Sequence, residues 1–301
     1  MKKIKSYFTD GEWYVGIRKH TGEFTESKME VTILDNTWRY WCADPFLFEK
    51  NQITYIFMEV YDKIKQKGFI GYRTIDGNGR VSKIYPCLDI GIHMSYPFIF
   101  EQKGQVYMLP ECHQSNKLTV YRAEKFPDVW VEDRVLLDNV KVCDSNIWEQ
   151  SGKIYLSTMK IHGMPYRYDE LCLYYLNKRE LIPCTNNPIV YGSERARNGG
   201  ACFKWADKLI RPAQNCSNSY GENLTFQIIK RISPEEYLEQ EVLKLCISDI
   251  SVKNSRKKFD GIHTFNTNGK YDVIDLRITK TIQIAHFIGI IIAKIQRKIR
   301  R

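Results

Sequence analysis

Five stretches of this chain can be laid over one another, and that recurrence limits the fold more than any other feature. They are "DPFLFEKNQITYIFME" from Asp44, "YPFIFEQKGQVYMLPE" from Tyr96, "DSNIWEQSGKIYLSTM" from Asp144, "GGACFKWADKLIRPAQ" from Gly199 and "GIHTFNTNGKYDVIDL" from Gly261. The first residues of the copies are separated by intervals of 52, 48, 55 and 62 residues. Each copy has an aromatic residue four places on: Phe48, Phe100, Trp148, Phe203 and Phe265. A turn-forming residue follows at plus eight in four of them (Gly104, Gly152, Asp207, Gly269), and Tyr55, Tyr107 and Tyr155 share plus eleven. Tyr271 comes one place early in the fifth. Polar or glycine turns between alternating apolar residues mark hairpins.

A repeat near 50 residues with about four short strands is the signature of a propeller blade. The pattern predicts an all-β, five-bladed β-propeller over residues 1–280. The competing reading is a β-sandwich with coincidental hairpins. "SPEEYLEQEVLKL" (233–245) interrupts the pattern. Ser233, Pro234 and Glu236 read as a helix start, so a helix is expected between blades four and five. In "TIQIAHFIGIIIAKIQRKIRR" (281–301), Ile284, Ile288, Ile291, Ile292, Ile295 and Ile299 share one side at helical spacing. That predicts a basic amphipathic C-terminal helix, too short to span a bilayer and suited to an anionic membrane surface. The competing reading is a closing helix packed on the propeller or on a partner.

Charge and thiols narrow the function. The net charge is +10, but Lys294, Arg297, Lys298, Arg300 and Arg301 supply half of it. The remainder is too dispersed for a nucleic-acid stripe, so no nucleic-acid partner is expected. There are nine cysteines and no CxxC, and the N-terminal stretch lacks the apolar core of a signal peptide. Reduced thiols and a cytoplasmic location, peripheral on the inner face of the membrane, are expected. No short metal spacing, phosphate loop or nucleophile motif occurs, so neither a metal nor another cofactor is expected.

The copies also align polar residues. Their anchors and the plus-fifteen positions should meet at one end of the axis, because an antiparallel partner strand returns there. That set holds Asp44, Glu59, Tyr96, Glu111, Asp144, Gln214 and Asp275, answered by Arg197, Arg211 and His263. Paired carboxyls are what glycosidic bond cleavage needs: one holds a proton while the other activates water or attacks carbon. The bland alternative is that these acids cap strands or pair with Arg197 and Arg211 to seal the blades. Arg211 suits a carboxylate or phosphate group, and equally a blade-locking ion pair. His93 and His113 lie close enough in sequence to reach the same funnel.

The ordered segments "WCADPFLFE", "SYPFIFEQKGQVYMLPE", "YRAEKFPDVW", "RNGGACF", "LIRPAQNCSNSYG", "EEYLEQEV" and "GIHTFN" resemble the N-terminal domain of glucosamine inositolphosphorylceramide transferases and stand-alone bacterial relatives. That family is similar in fold to five-bladed propeller glycosidases. Plant members carry a separate glycosyltransferase domain after it; this chain ends after the repeats, which fits the stand-alone kind. The resemblance implies work on a glycan or glycolipid in surface polysaccharide assembly, beside a glycosyltransferase partner. It implies Asp44 in "ADPF" as a general base, with Glu111 in "LPE" as the best candidate for the acid, while Asp144 is a further catalytic candidate from its anchor position. Glu59, Tyr96, Arg197, Arg211, Gln214, His263 and Asp275 are then substrate-binding. Tyr96 departs from relatives with an acid at that anchor. A glycosidase or transglycosylase, a non-catalytic glycan binder and a membrane scaffold all remain compatible with the sequence.

Overall fold

A computed structural model describes residues 9–22, 28–162, 167–178 and 180–281. It shows five sheets arranged as the blades of a propeller, antiparallel throughout except for the parallel pairing of Met29–Ile33 with Ile250–Val252. Blade 1 runs outward through Tyr40–Lys50, Ile53–Asp62, Lys67–Ile75 and Tyr85–Leu88. Blade 2 follows with Ser95–Gln102, Gln105–Glu111, Lys117–Lys125 and Val129–Asp138. Blade 3 has Val142–Gln150, Lys153–His162, Arg167–Asn177 and Glu180–Pro183. In blade 4 two short pieces, Arg197–Asn198 and Phe203–Trp205, share the partner Lys208–Asn215, followed by Asn223–Ile232 and Tyr237–Cys246. Blade 5 joins both halves of the chain: Gly261–Thr267, Tyr271–Thr281, Thr9–Lys19, Met29–Ile33 and Ile250–Val252. Thr9–Lys19 pairs along its whole length with Tyr271–Thr281, which closes the ring.

The apolar core lies mainly between blades. Phe57, Ile70, Met94 and Met108 fill the space between blades 1 and 2. Tyr14, Phe226, Phe265 and Ile274 fill that between blades 4 and 5. All nine cysteines are free.

The anchors of the first three copies share an unusual backbone. Asp44, Tyr96 and Asp144 have φ of 49°, 46° and 48°. Each sits in a β-bulge, where the pairing jumps from Ala43 to Phe46, Ser95 to Phe98 and Cys143 to Asn146. A left-handed residue that is not glycine costs roughly 1–3 kcal/mol, so surrounding bonds must hold it. In blade 5 the same jump falls between Ile262 and Phe265. The true counterpart of Asp44 is therefore His263, and the expected Gly261 register is two residues out. In blade 4 the chain breaks at Gly200, φ 139°, where an added Cβ would lie 1.9 Å from the Phe265 carbonyl oxygen.

The expected helix at 233–245 is not formed. Ser233 Oγ does accept from the amides of Glu235 and Glu236, at 3.1 and 3.0 Å. The turn so made leads into the outer strand Tyr237–Cys246 rather than a helix. That strand pairs with Asn223–Ile232, and tertiary pairing overrides local helix propensity. The expected C-terminal helix lies outside the described residues, save Thr281, which ends a strand.

Candidate functional site

The bulges turn polar groups toward the axis, where hydrogen bonds link the blades in a ring. The Asp44 amide donates to Asp275 Oδ2 at 2.9 Å, joining blades 1 and 5. Asp44 Oδ1 accepts from the Thr264 hydroxyl at 2.9 Å, and Oδ2 accepts from the Tyr96 amide at 3.1 Å, joining blades 1 and 2. The Tyr96 hydroxyl donates to Asn146 Oδ1 and accepts from the Gly200 amide, both at 3.0 Å. Asn198 Nδ2 donates to the Asp144 carbonyl at 2.7 Å, and the Phe265 amide donates to Gly199 O at 2.8 Å. Thus every inner strand is tied to the next.

Above this ring the acids form two groups. In the first, His263 lies with Nε2 3.4 Å from Asp44 and Nδ1 2.7 Å from Asp275. Its ring stacks on Trp13 at 3.9 Å. Burial alone would lower the imidazole pKa, but Asp275 and Asp44 outweigh it and hold the pKa above the usual range. In the second group, Arg197 Nε donates to Asp144, and Gln214 Nε2 donates to the same oxygen at 2.9 Å. Arg197 Nη2 lies 3.8 Å from Glu111 Oε2, and Glu111 Oε1 meets His113 Nδ1 at 2.8 Å.

Glu59 stands apart. Its Oε1 lies 3.6 Å from His93 Nε2 and makes no hydrogen bond. The Gly68 amide donates to His93 Nδ1 at 2.9 Å, which leaves the Nε2 proton facing Glu59. Burial, followed by the charges of Asp44 and Glu111, pushes the Glu59 carboxyl well above its usual range. Gly68 is required here, because a Cβ would lie 2.5 Å from Glu59 Oε1.

Aromatic rings rim the funnel. Trp41 stacks on Tyr61 at 4.4 Å and 10°. Tyr220, 43% exposed, sits edge-on to His263 at 5.2 Å, with the Arg197 guanidinium 4.9 Å over its ring. Buried polar atoms around this space that lack hydrogen-bond partners among the described residues include Trp41 Nε1, Glu59 Oε1, Glu111 Oε2 and Gln214 Oε1.

A family model described as glucosamine inositolphosphorylceramide transferase 1, N-terminal, matches residues 32–285. The chain belongs to that family. It is 34% identical over 229 residues to glucosamine inositolphosphorylceramide transferase 1 of Oryza sativa subsp. japonica, and 34% over 206 residues to that of Arabidopsis thaliana. These matches cover 73% and 66% of this chain but only 30% and 27% of the plant proteins. Among solved structures it is similar to an exo-1,5-alpha-L-arabinanase from a bovine ruminal metagenomic library, at TM-score 0.51 and 13% identity, covering 83% of this chain and 96% of that one. The catalytic domain of a Coprinopsis cinerea GH62 alpha-L-arabinofuranosidase gives 0.54 and 10%, covering 80% and 92%. Likeness at that identity is likeness of fold.

Within this member of the glucosamine inositolphosphorylceramide transferase 1 N-terminal family, the structure brings together Asp44, Glu59, Glu111, Asp144, Arg197, Gln214, His263 and Asp275. It does not bring Arg211 to them. That side chain is fully buried inside blade 4, bonded to Glu239 by Nε at 2.9 Å and Nη2 at 2.8 Å, to Asn198 at 3.2 Å and to the Arg195 carbonyl at 3.0 Å. Its expected substrate contact is corrected to a blade-locking pair. Tyr96 is likewise fully buried, with its hydroxyl engaged twice, so it joins blades instead of meeting a ligand. The site residues not anticipated were Trp13, Trp41, Tyr61 and Tyr220. Trp41 stands three residues before Asp44 and opens "WCADPFLFE", a segment that carries the family resemblance.

Two donor sets have the compactness of metal ligands: Asp44, His263 and Asp275, and Glu111, Cys143 and Asp144, each within 4.8 Å. Neither fits a metal well. The first is closed by backbone and hydroxyl donors from Tyr96, Thr264, His263 and Asp44 itself. In the second, burial pushes the Cys143 thiol well up, which disfavours the thiolate a metal needs.

The Glu111–Asp144 pair has a pH signature. Burial pushes Asp144 up to about 8, against the pull of Arg197 and with a further push from Glu111. Burial would also raise Glu111, but the His113 hydrogen bond and the charge of Arg197 outweigh it and bring it down to about 2. Between those limits the pair holds one proton. A carboxyl whose pKa rises on folding stabilises fully below its unfolded value, about 3.9 for Asp, and loses that contribution as pH climbs through the folded value. His263 has the same sign above about 6.5. Urea midpoints are therefore expected to fall between about pH 4 and pH 8, and Asp144→Asn to flatten the fall. A midpoint that climbs through this window would contradict the assignment.

Proposed function

We propose that the funnel binds a glycan or glycolipid and acts on its glycosidic bond, by hydrolysis or transfer. One observation carries this reading. A donor on Trp41 and acceptors on Glu59, Glu111 and Gln214 are buried without partners, and the Trp41 ring is itself stacked on Tyr61. Sugar hydroxyls both donate and accept, and sugar C–H faces pack on aromatic rings, so a pyranose completes both sets. Leaving such atoms unpaired costs about 1–3 kcal/mol each, which a bound sugar returns.

Of the acids the sequence favoured, Glu111 keeps a catalytic role, while Asp44 gives way to Glu59. Asp44 has both carboxylate oxygens and its amide engaged by other blades, which suits positioning. Glu59 keeps its proton and has an open oxygen, the features of a general acid. Glu111 is ionised and has an open Oε2, the features of a base or nucleophile.

The test is a panel of free and lipid-linked oligosaccharides, scored for binding and for product. Wild-type protein is expected to bind at least one member. Trp41→Ala should weaken that binding by roughly 10-fold or more, through loss of an aromatic platform. No binding anywhere on the panel would sink the reading. Binding without product, unchanged on longer incubation, would favour a non-catalytic glycan-binding module, which the slight exposure of Glu59 and Glu111 (5% and 8%) supports.

A further inference from the structure

The candidate site lies at the face of the propeller where the chain enters each inner strand. The connection into the inner strand of blade 5 crosses that face as "KNSRKK" (253–258), with Lys253, Arg256, Lys257 and Lys258 all exposed. The loop is held in place. The Lys253 amide donates to Val31 O at 3.0 Å, and Asn254 clamps Ile33 by two hydrogen bonds of 2.9 Å. Lys257 Nζ lies 4.1 Å over the Tyr14 ring, and Lys253 pairs with Glu30 at 2.9 Å in an exposed contact. Arg256 and Lys258 have no ion-pair partner among the described residues. Open clefts of about 510 and 460 Å³ flank the loop, both lined by Ser255, Arg256 and Lys257.

Two further features lie on this face. Trp38, 71% exposed, stands on the neighbouring connection into blade 1, between Ile33 and Tyr40. The strands Thr9–Lys19 and Tyr271–Thr281 stay paired past Gly261, the start of the blade 5 inner strand, which opposes Arg277. Four more residues carry them roughly 13 Å beyond it.

We propose that the funnel face docks on an anionic lipid bilayer, with Arg256, Lys257 and Lys258 on the headgroups and Trp38 at the interface. Fixed cations beside an exposed tryptophan match a surface that is negatively charged and apolar beneath. Docked this way, the funnel mouth faces the headgroup layer, and its substrate is a glycolipid headgroup. That last clause rests on the proposed function; the docking does not.

The test is flotation of the full chain with vesicles of phosphatidylcholine alone or mixed with phosphatidylglycerol. Binding is expected only to the mixed vesicles and to weaken with salt. Arg256→Gln with Lys258→Gln should lower the partition coefficient by roughly 30-fold, since each cation near such a surface contributes about 1 kcal/mol. Lys103→Gln with Lys178→Gln, exposed on the opposite face, should leave it within about twofold. Brominated lipid should quench tryptophan emission less in Trp38→Phe than in wild type. Equal binding to neutral vesicles, no binding, or equal loss in both double variants would overturn the docking. Because no glycan enters the assay, a failure of glycan binding and a failure of docking are read separately.

Discussion

A Glu111→Gln variant is expected to fold, to bind the glycan that wild-type protein binds, and to lose turnover by roughly 10²–10⁴-fold. The substitution keeps shape and leaves an amide oxygen for His113, which contacts Glu111 Oε1 at 2.8 Å. It removes the negative charge that Arg197 and His113 hold ionised. A base or nucleophile cannot be neutral, so the loss falls on the chemical step and appears in kcat rather than KM. Turnover within a factor of about 10 of wild type would return Glu111 to a binding role. Glu59→Gln should show a related loss that is smaller for substrates with good leaving groups, because these need less help from a proton donor.

Arg197→Met is expected to destabilise the fold by about 3–5 kcal/mol. Arg197 is buried with Asp144 on its Nε and Glu111 near its Nη2. Without it, two carboxyls remain in a site with no comparable cation, since Arg211 is turned into blade 4. The cost comes from that uncompensated charge more than from any net strength of the pair. Glu111 is the ionised member of the pair, so Glu111→Gln should restore part of the loss in the double variant. Urea unfolding of the two single variants and the double variant measures this directly. Additive losses would mean that Arg197 stabilises blade 4 by packing alone.

The repeats were legible because the first three copies share one register: Ala43 opposes Glu59, Ser95 opposes Glu111 and Cys143 opposes Met159. Identical hairpin lengths preserve that spacing in sequence. The convergence of anchor and plus-fifteen positions could be read from it. The bulges could not, since nothing in "ADPF" or "SYPF" announces a left-handed residue. A bulge breaks strict alternation of faces, which is why the fifth copy, aligned on Gly261 rather than His263, slipped by two. The helix misreading has a separate cause. An outer strand bears charged residues on its open side, and Glu241 and Lys244 after a genuine serine turn imitate a helix start. Glu239 is the buried partner of Arg211, so the same misreading hid where that arginine belongs. The family resemblance located the funnel, whereas the division of labour among its acids depends on which oxygens neighbouring blades have already engaged.

Blade 5 joins Thr9–Lys19 to Tyr271–Thr281, and that pairing sets an order of events for a growing chain. A strand made among the first residues waits for a partner made some 260 residues later. At ribosomal rates of about 5–20 residues per second, the delay is on the order of 10–50 s. Throughout it, Trp13, Tyr14 and Val15 lack the partners that bury them in the finished blade, and both edges of an open sheet array stay available for pairing. The seam that makes the ring continuous is thus its most exposed point during synthesis. Nascent chains stalled before Tyr271 should be the species most prone to aggregate and the most readily held by chaperones.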